Sequence, residues 1–378
     1  MIDRKLLTAD VVYNGLGIPR LGAGVALQTV QAETQIIAVD ELEQLKSQFP
    51  DARLENAGLA LSPAPVNAHM HLDLSSMPFS PGSYEDFIRK VIGHDRSGKR
   101  NLEAAKDGII QLQKQGIDTI GDIVTEEDVM VYLLRSELKG VAYWEVFAPD
   151  PADADQEFNE TVRLLKRFKE LERPGGMRVG LSPHTPHTVS EPLLKKLVTL
   201  AKQNQLPLQI HVAESAHELA LYKDASGPLW ELYKPFMPYW QAPGVSPVQY
   251  LKELNVLEAQ PTLIHMVNVD ENDVKAVQTS GCVVVHCPRS NTALECGRFP
   301  WELYAKHGIT VALGTDSSGS SPNLVLAEEL QAARNLHGEK ASLQGLIWSA
   351  VKGGYRALGM NPPKLTRGTN ASELYIWT

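Results

Sequence analysis

The sequence predicts an α/β chain whose core is a (β/α)8 TIM barrel, bracketed at both ends by short strands of another kind. Three observations carry this. First, eight brief apolar runs recur between residues 58 and 316: GLALSPAPVNA, GIDTIGDIV, GVAYWEVF, MRVGLSP, LPLQIHV, PTLIHMV, GCVVVHCP and GITVALGTD. Helical patterns such as SEPLLKKLVTLAKQNQ (190–205) and DENDVKAVQTSG (270–281) separate several of them, an alternation that suits a closed parallel barrel better than an open sheet. Second, several runs end on polar residues: His69-Met-His71, His211 with Glu214, His265, and Asp316. Third, the first 60 residues alternate in short apolar segments (DVVYNG, GVALQTV, TQIIAV), and TNASELYIWT closes the chain as one more strand.

The open doubly wound sheet is the structural rival. It would show a glycine-rich phosphate loop after an early strand, and no G-x-G-x-x-G occurs. GLGIPRLGAG (15–24) is followed by no helical pattern and reads as a turn. Two intervals exceed the strand–helix rhythm, Leu72 to Gln115 and Ser215 to Gln260. The second holds the aromatic stretch GPLWELYKPFMPYWQAPG (227–244), read equally as a lid over a pocket or as a loop packed on outer helices.

The chain has 378 residues, 43% hydrophobic and 21% charged, with a formal net charge of −9. That charge argues against nucleic-acid and anionic-membrane partners; the basic run RLLKRFKE (163–170) reads as a solvated helix face. MIDRKLLTADVVYNG lacks the apolar core of a signal peptide, and no run of about eighteen apolar residues follows it. Cys282, Cys287 and Cys296 are odd in number and form no C-x-x-C pair, which fits a reducing cytoplasm. Cys287 is read as a small buried hydrophobe rather than a ligand.

A lone strand-end histidine is more often a hydrogen-bonded structural residue than a ligand. His69 and His71 differ, because positions i and i+2 of a strand aim both rings at one point. Adding His211 and Asp316 at matching strand ends makes a four-donor site for one divalent ion, with Zn²⁺ placed first and Fe²⁺ second; ligand type alone does not separate them. Such an ion brings a water to ionise at roughly pH 7. Glu214, three residues past His211, is placed as a proton shuttle, against the plainer reading of a surface glutamate at a helix start. His265 is either a further ligand or the group that orients water or polarises substrate, and the second is preferred. Asp316 is given two roles, ligand and proton acceptor. The chemistry is hydrolytic removal of an amine or cleavage of an amide, without an organic cofactor.

NAHMHLD (67–73), LSPHTPHT (181–188), HVAES (211–215), HMVNVD (265–270), HCPRSN (286–291) and GTDSSGS (314–320), in this order, resemble the amidohydrolase superfamily in its cytosine-deaminase-like branch. The resemblance implies a small β-sandwich built from residues 1–62 and 346–378 around a barrel at 63–345. It implies that His69, His71, His211 and Asp316 hold one metal, that Glu214 shuttles protons and that His265 assists. Dinuclear relatives carry a lysine or glutamate at the fourth strand end, where this chain reads SPHTPHT. A mononuclear site is therefore implied, with His184 as a substrate contact, His187 either functional or structural, and His286 packed below the rim. Barrels of this branch often associate as homodimers.

Within the branch, SPHTPHT, HMVNV, HCPRSN and the VKGG segment most resemble the aminodeoxyfutalosine deaminases. That implies a small adenine nucleoside substrate of the alternative menaquinone pathway, converted from 6-amino to 6-oxo with release of ammonia. A neighbouring group carries W-P-x-E after the first strand, with its glutamate on the ribose; DFIRKVIGHDR (86–96) has none, so Arg89 or Arg96 is the expected sugar contact. The H-x-E and P-C-x-x-C pattern of polynucleotide deaminases is missing. Two competing readings stand beside this one: the same site acting on guanine, a triazine or a cyclic amide, and a non-catalytic metal-stabilised binding protein, which would have no need of Glu214.

Overall fold

The computed structural model describes residues 3–237 and 239–378; Met1, Ile2 and, within the aromatic stretch, Pro238 lie outside the described residues. The N-terminal segment supplies β1 (Asp3–Thr8), β2 (Val11–Val12), β3 (Ala23–Val30), β4 (Glu33–Glu41), β5 (Arg53–Asn56) and β6 (Ala60–Pro63). The eight expected strands follow as β7 (Val66–Met70), β8 (Thr119–Val124), β9 (Lys139–Val146), β10 (Met177–Pro183), β11 (Gln209–Val212), β12 (Thr262–His265), β13 (Val284–His286) and β14 (Val311–Leu313), and β15 (Leu374–Trp377) ends the chain. GLALSPAPVNA, read as one run, divides between β6 and β7. Pro63 and Pro65 lack the N–H a continuous ladder needs, and the break lets one run serve two sheets.

β1 lies between β3 and β5 in a four-stranded sheet with order β4-β3-β1-β5, antiparallel except for the β1–β5 pair. β15 pairs antiparallel with β6, joining the two ends of the chain in a second, three-stranded sheet.

The rest is α/β with two parallel four-stranded sheets, β7 to β10 and β11 to β14, each in chain order. Their strands are buried on both faces, as parallel strands under helices must be. At one junction Leu181 bridges Leu208, its N–H donating to Pro207 O at 2.9 Å; at the other Met70 bridges Asp316, whose N–H donates to His69 O at 3.1 Å. Outer helices turn apolar stripes inward: in Glu191–Asn204, Leu193, Leu194, Leu197, Val198 and Ala201 are buried at helical spacing. One core unites these helices with Val66, Ile120, Val141, Ile210, Ile264 and Val285.

The expected domain boundary falls at residue 346. Leu346, Ile347, Ala350 and Val351 belong to that same core, and Gly353 and Gly354 lie so close to β14 and β7 that a Cβ would meet Val311 O at 2.2 Å and Val66 Cβ at 2.6 Å. These helical residues therefore pack on the parallel strands rather than on the terminal sheets. No helix among the described residues is long and apolar enough to cross a membrane.

Candidate active site

β7 carries His69 at its penultimate position and delivers His71 just past its end, so the alternation of the strand points both rings into one space. His69 Nδ1 meets Gln209 Oε1 at 2.8 Å, and Gln209 Nε2 donates to Ala68 O at 3.0 Å. With the amide fixed in that sense, Oε1 accepts the Nδ1 proton and the lone pair of His69 lies on Nε2, which is buried and has no hydrogen-bond partner. His211 is fixed likewise, its Nδ1 donating to His184 O at 3.0 Å. The three rings stand 4.9 to 5.5 Å apart, and one nitrogen from each lies within 4.8 Å of the others.

Asp316 completes the set. Its Oδ1 is 3.7 Å from His69 Nε2 and 3.5 Å from His71 Nε2, while Oδ2 accepts from Ser290 Oγ at 2.6 Å and Ser320 Oγ at 3.0 Å. Burial, followed by repulsion from His69, drives His71 and His211 well below the usual imidazole range. Burial opposes the charge of Asp316, while the two serine hydroxyls that donate to Oδ2 favour it. Uncharged imidazoles at His71 and His211, an unpartnered nitrogen on His69 and an ionised carboxylate are the donor set of a divalent transition metal.

Glu214, His265 and Asp316 converge on the same space, with one donor atom from each inside 4.8 Å. His265 Nδ1 accepts from Asn291 Nδ2 at 3.0 Å, which leaves the ring proton on Nε2, 3.4 Å from Glu214 Oε2. Burial pushes the His265 imidazole down to about 3. Burial, reinforced by Asp316 and Glu218, pushes the Glu214 carboxyl well above its ordinary range. Glu218 clamps the backbone here, accepting from Ala213 N at 3.0 Å and Glu214 N at 2.8 Å, and Ser215 caps the helix Ala216–Asp224 that follows. Ala213 (φ 53°), His265 (φ 71°) and Asp316 (φ 58°) all take left-handed backbone, so three strand ends turn sharply at the site.

His71, His211, Glu214, His265 and Asp316 line a cavity that His184 also lines, its Nδ1 tied to Thr188 Oγ1 at 2.7 Å. Leu74, Tyr84, Phe87, Ile88 and Val91 form the apolar wall, most of it from the helix Tyr84–Arg96. The 215–260 interval backs this wall: its Tyr222, Leu229, Tyr233 and Met237 pack in one cluster with Leu74, Tyr84 and Phe87.

Arg89 and Arg96, expected to meet the sugar, lie on the helix Tyr84–Arg96 outside the cavity lining. Both are exposed, Arg89 pairs with Asp86 at 2.8 Å on the helix's outer face, and neither lines the cavity. The cavity's arginine is Arg100, beyond the helix, and it faces Glu145 near the end of β9. The sequence reading passed over both, although Glu145 is the one charge within the apolar run GVAYWEVF. His187 is buried between Tyr222 and Tyr233 and does not line the cavity. His286 stacks on Phe299 at 4.0 Å, meets His337 and does not line the cavity. Cys287 is buried, and burial pushes its thiol well up.

Residues 60–364 match the model of the amidohydrolase family. The chain belongs to that family. This amidohydrolase is 43% identical to the aminodeoxyfutalosine deaminase of Deinococcus radiodurans, over 99% of this chain and 90% of the relative. Among solved structures, it superposes on the aminofutalosine deaminase of Helicobacter pylori in complex with methylthio-coformycin with a TM-score of 0.78 at 21% identity, covering 97% of this chain and 90% of the other. An adenosine deaminase from Xanthomonas campestris with bound zinc gives a TM-score of 0.67 at 20% identity, covering 97% and 83%. At such identities these two solved structures establish the shared fold of the amidohydrolase.

Proposed function

We propose that this amidohydrolase is a metal-dependent hydrolytic deaminase of an adenine nucleoside derivative, with aminodeoxyfutalosine, an intermediate of menaquinone biosynthesis, as its first-choice substrate. The observation that carries the reading is the buried Glu214 carboxyl, poised beside His265 and Asp316 and adjoining the three-imidazole cluster. Full-length similarity to the Deinococcus deaminase supports the substrate class. Zinc in the Xanthomonas structure supports zinc as the ion, with iron(II) second. The bridges at Leu181–Leu208 and Met70–Asp316 support closure of the two parallel sheets into a (β/α)8 barrel, with the terminal sheets as a separate small domain. Three buried unpaired thiols fit a cytoplasmic setting.

His69, His71, His211 and Asp316 would hold the ion. When bound, it supplies the Lewis acidity that makes water nucleophilic near neutral pH. Asp316 Oδ1 accepts a proton from the attacking water, since Oδ2 is committed to two serine hydroxyls. Glu214, favoured in its protonated form by burial, gives a proton to the amine that leaves carbon 6. His265, uncharged and donating through Nε2, orients the polar groups of the reacting centre. Tyr84, Phe87 and Ile88 offer the purine an apolar wall and keep bulk water out. Water and the amine become a 6-oxo group and ammonia, with no redox change.

Ammonia release across aminodeoxyfutalosine, adenosine, guanine, a triazine and a cyclic amide tests this reading. Turnover of aminodeoxyfutalosine, lost on chelation and restored by zinc, is expected. Turnover of the amide with no amino-purine accepted would refute it.

A further inference from the structure

Removing Arg89 and Arg96 from the cavity leaves the question of what recognises the rest of the substrate. Outside the reacting cluster, Arg100 and Glu145 give the cavity a charged corner. There Arg100 Nε donates to Asp73 Oδ2 at 3.0 Å, and Arg100 Nη2 lies 3.7 Å from Glu145 Oε2. Asp73 is itself secured, its Oδ2 accepting from Thr125 Oγ1 at 3.0 Å. Arg100 is therefore held in place before any ligand arrives. Yet Arg100 Nη2 and Glu145 Oε1 are both buried without a hydrogen-bond partner. Folded proteins leave few such atoms unsatisfied. Other buried polar atoms of the chain also lack partners, but these two lie side by side on residues that line the cavity, where a ligand's polar atoms can reach them.

The chemistry of the corner selects the ligand group. Glu145 only accepts and Arg100 only donates, so the group must do both. Asp73, Arg100 and Glu145 together carry an excess of carboxylate, which disfavours a phosphate or carboxylate substituent. The guanidinium beside Glu145 disfavours a ligand ammonium or a second metal ion. A pair of neighbouring hydroxyls meets all these conditions: one donates to Glu145 Oε1 while an adjacent oxygen accepts from Arg100 Nη2. A nitrogen of His184 lies within 4.8 Å of both the Glu145 carboxylate and a nitrogen of His211, so the corner adjoins the reacting cluster.

We propose that Glu145 and Arg100 form the sugar subsite of this enzyme and read the vicinal hydroxyls of the substrate's ribose. This rests on the nucleoside deaminase reading above, and the test separates the two. Adenosine and 2′,3′-dideoxyadenosine are compared on the zinc-loaded protein by kcat/KM and by calorimetric binding, in wild type, Glu145→Gln and Arg100→Lys. The lysine retains a charge for Asp73 but lacks Nη2, and it carries the test if Glu145→Gln folds or holds zinc poorly.

In wild type the diol is expected to be favoured about 10- to 100-fold, the worth of hydrogen bonds to charged groups. The preference should fall about tenfold or more in each variant, chiefly through KM, with little change for the dideoxy compound. Equal losses for both nucleosides would overturn the subsite and leave the pair a structural role. If nucleosides bind with this diol dependence but none is deaminated, the subsite stands and the deaminase reading fails. If no nucleoside binds, both fail.

Discussion

Gln209 Oε1 accepts the proton of His69 Nδ1 at 2.8 Å, tying the first strand of the parallel set to the fifth across 140 residues of sequence. The same amide donates to Ala68 O, so it cannot rotate without losing a second bond. The bond chooses the tautomer that presents His69 Nε2 to the cluster. Gln209→Leu removes this constraint, and zinc affinity is expected to fall about 10- to 100-fold. Competition with a chromophoric chelator measures it; an unchanged affinity would show that His69 needs no such orientation.

Glu214 is assigned to proton transfer, not to holding the ion. Glu214→Gln keeps the size of the side chain and removes the transferable proton. Its kcat should drop about 10²- to 10⁴-fold while zinc content stays at the wild-type level. Zinc loss on elemental analysis would move Glu214 into the ligand set.

Gly314 opens the GTD turn, and a Cβ there would lie 2.8 Å from His69 O and 2.9 Å from His69 Cβ. Those are backbone and root atoms that cannot swing aside. Gly314→Ala is expected to destabilise the protein by about 1–3 kcal/mol and to displace His69. A lower Tm together with weaker zinc retention would bear this out, whereas wild-type values for both would mean that β7 and β14 have slack.

Burial pushes the Glu218 carboxyl up to about 7, above the ordinary 4.5. A raised folded-state value means that the folded chain favours the proton more than the unfolded chain does. The associated stability is complete below about pH 4.5 and declines as pH rises through 7. Glu218→Gln keeps one acceptor for the Ala213 and Glu214 amides but has no proton to lose. Urea unfolding should therefore find the variant less stable at pH 5, with the gap narrowing or reversing by pH 8. A gap that is constant with pH would show that Glu218 does not titrate in that window.

The strand-end residues were legible because each stands out locally: a histidine or aspartate closing an apolar run is visible without knowing the fold. His69, His71, His211, His265 and Asp316 stand out this way, Glu214 by its place three residues past His211, and the structure brings them together. Arg89 and Arg96 were chosen by nearness in sequence, against the helix's own periodicity. Tyr84, Phe87, Ile88 and Val91 fall at i, i+3, i+4 and i+7, and that stripe faces the cavity, leaving both arginines off it. Arg100 had no comparable local signal, since its direction is set by Asp73, 27 residues earlier. The packing just past residue 346 has no local signal either. Gly353 and Gly354 mark close approach to β7 and β14, a contact that only tertiary structure discloses.

The bridge between Met70 and Asp316 joins the two ends of the β7 to β14 series. A polypeptide emerging from the ribosome carries its paired histidines long before its aspartate exists. An ion captured early would meet imidazoles alone, with neither the carboxylate nor the serines that steady it. Metallation is thus expected as the finishing act of biosynthesis, after the last strand has found the first.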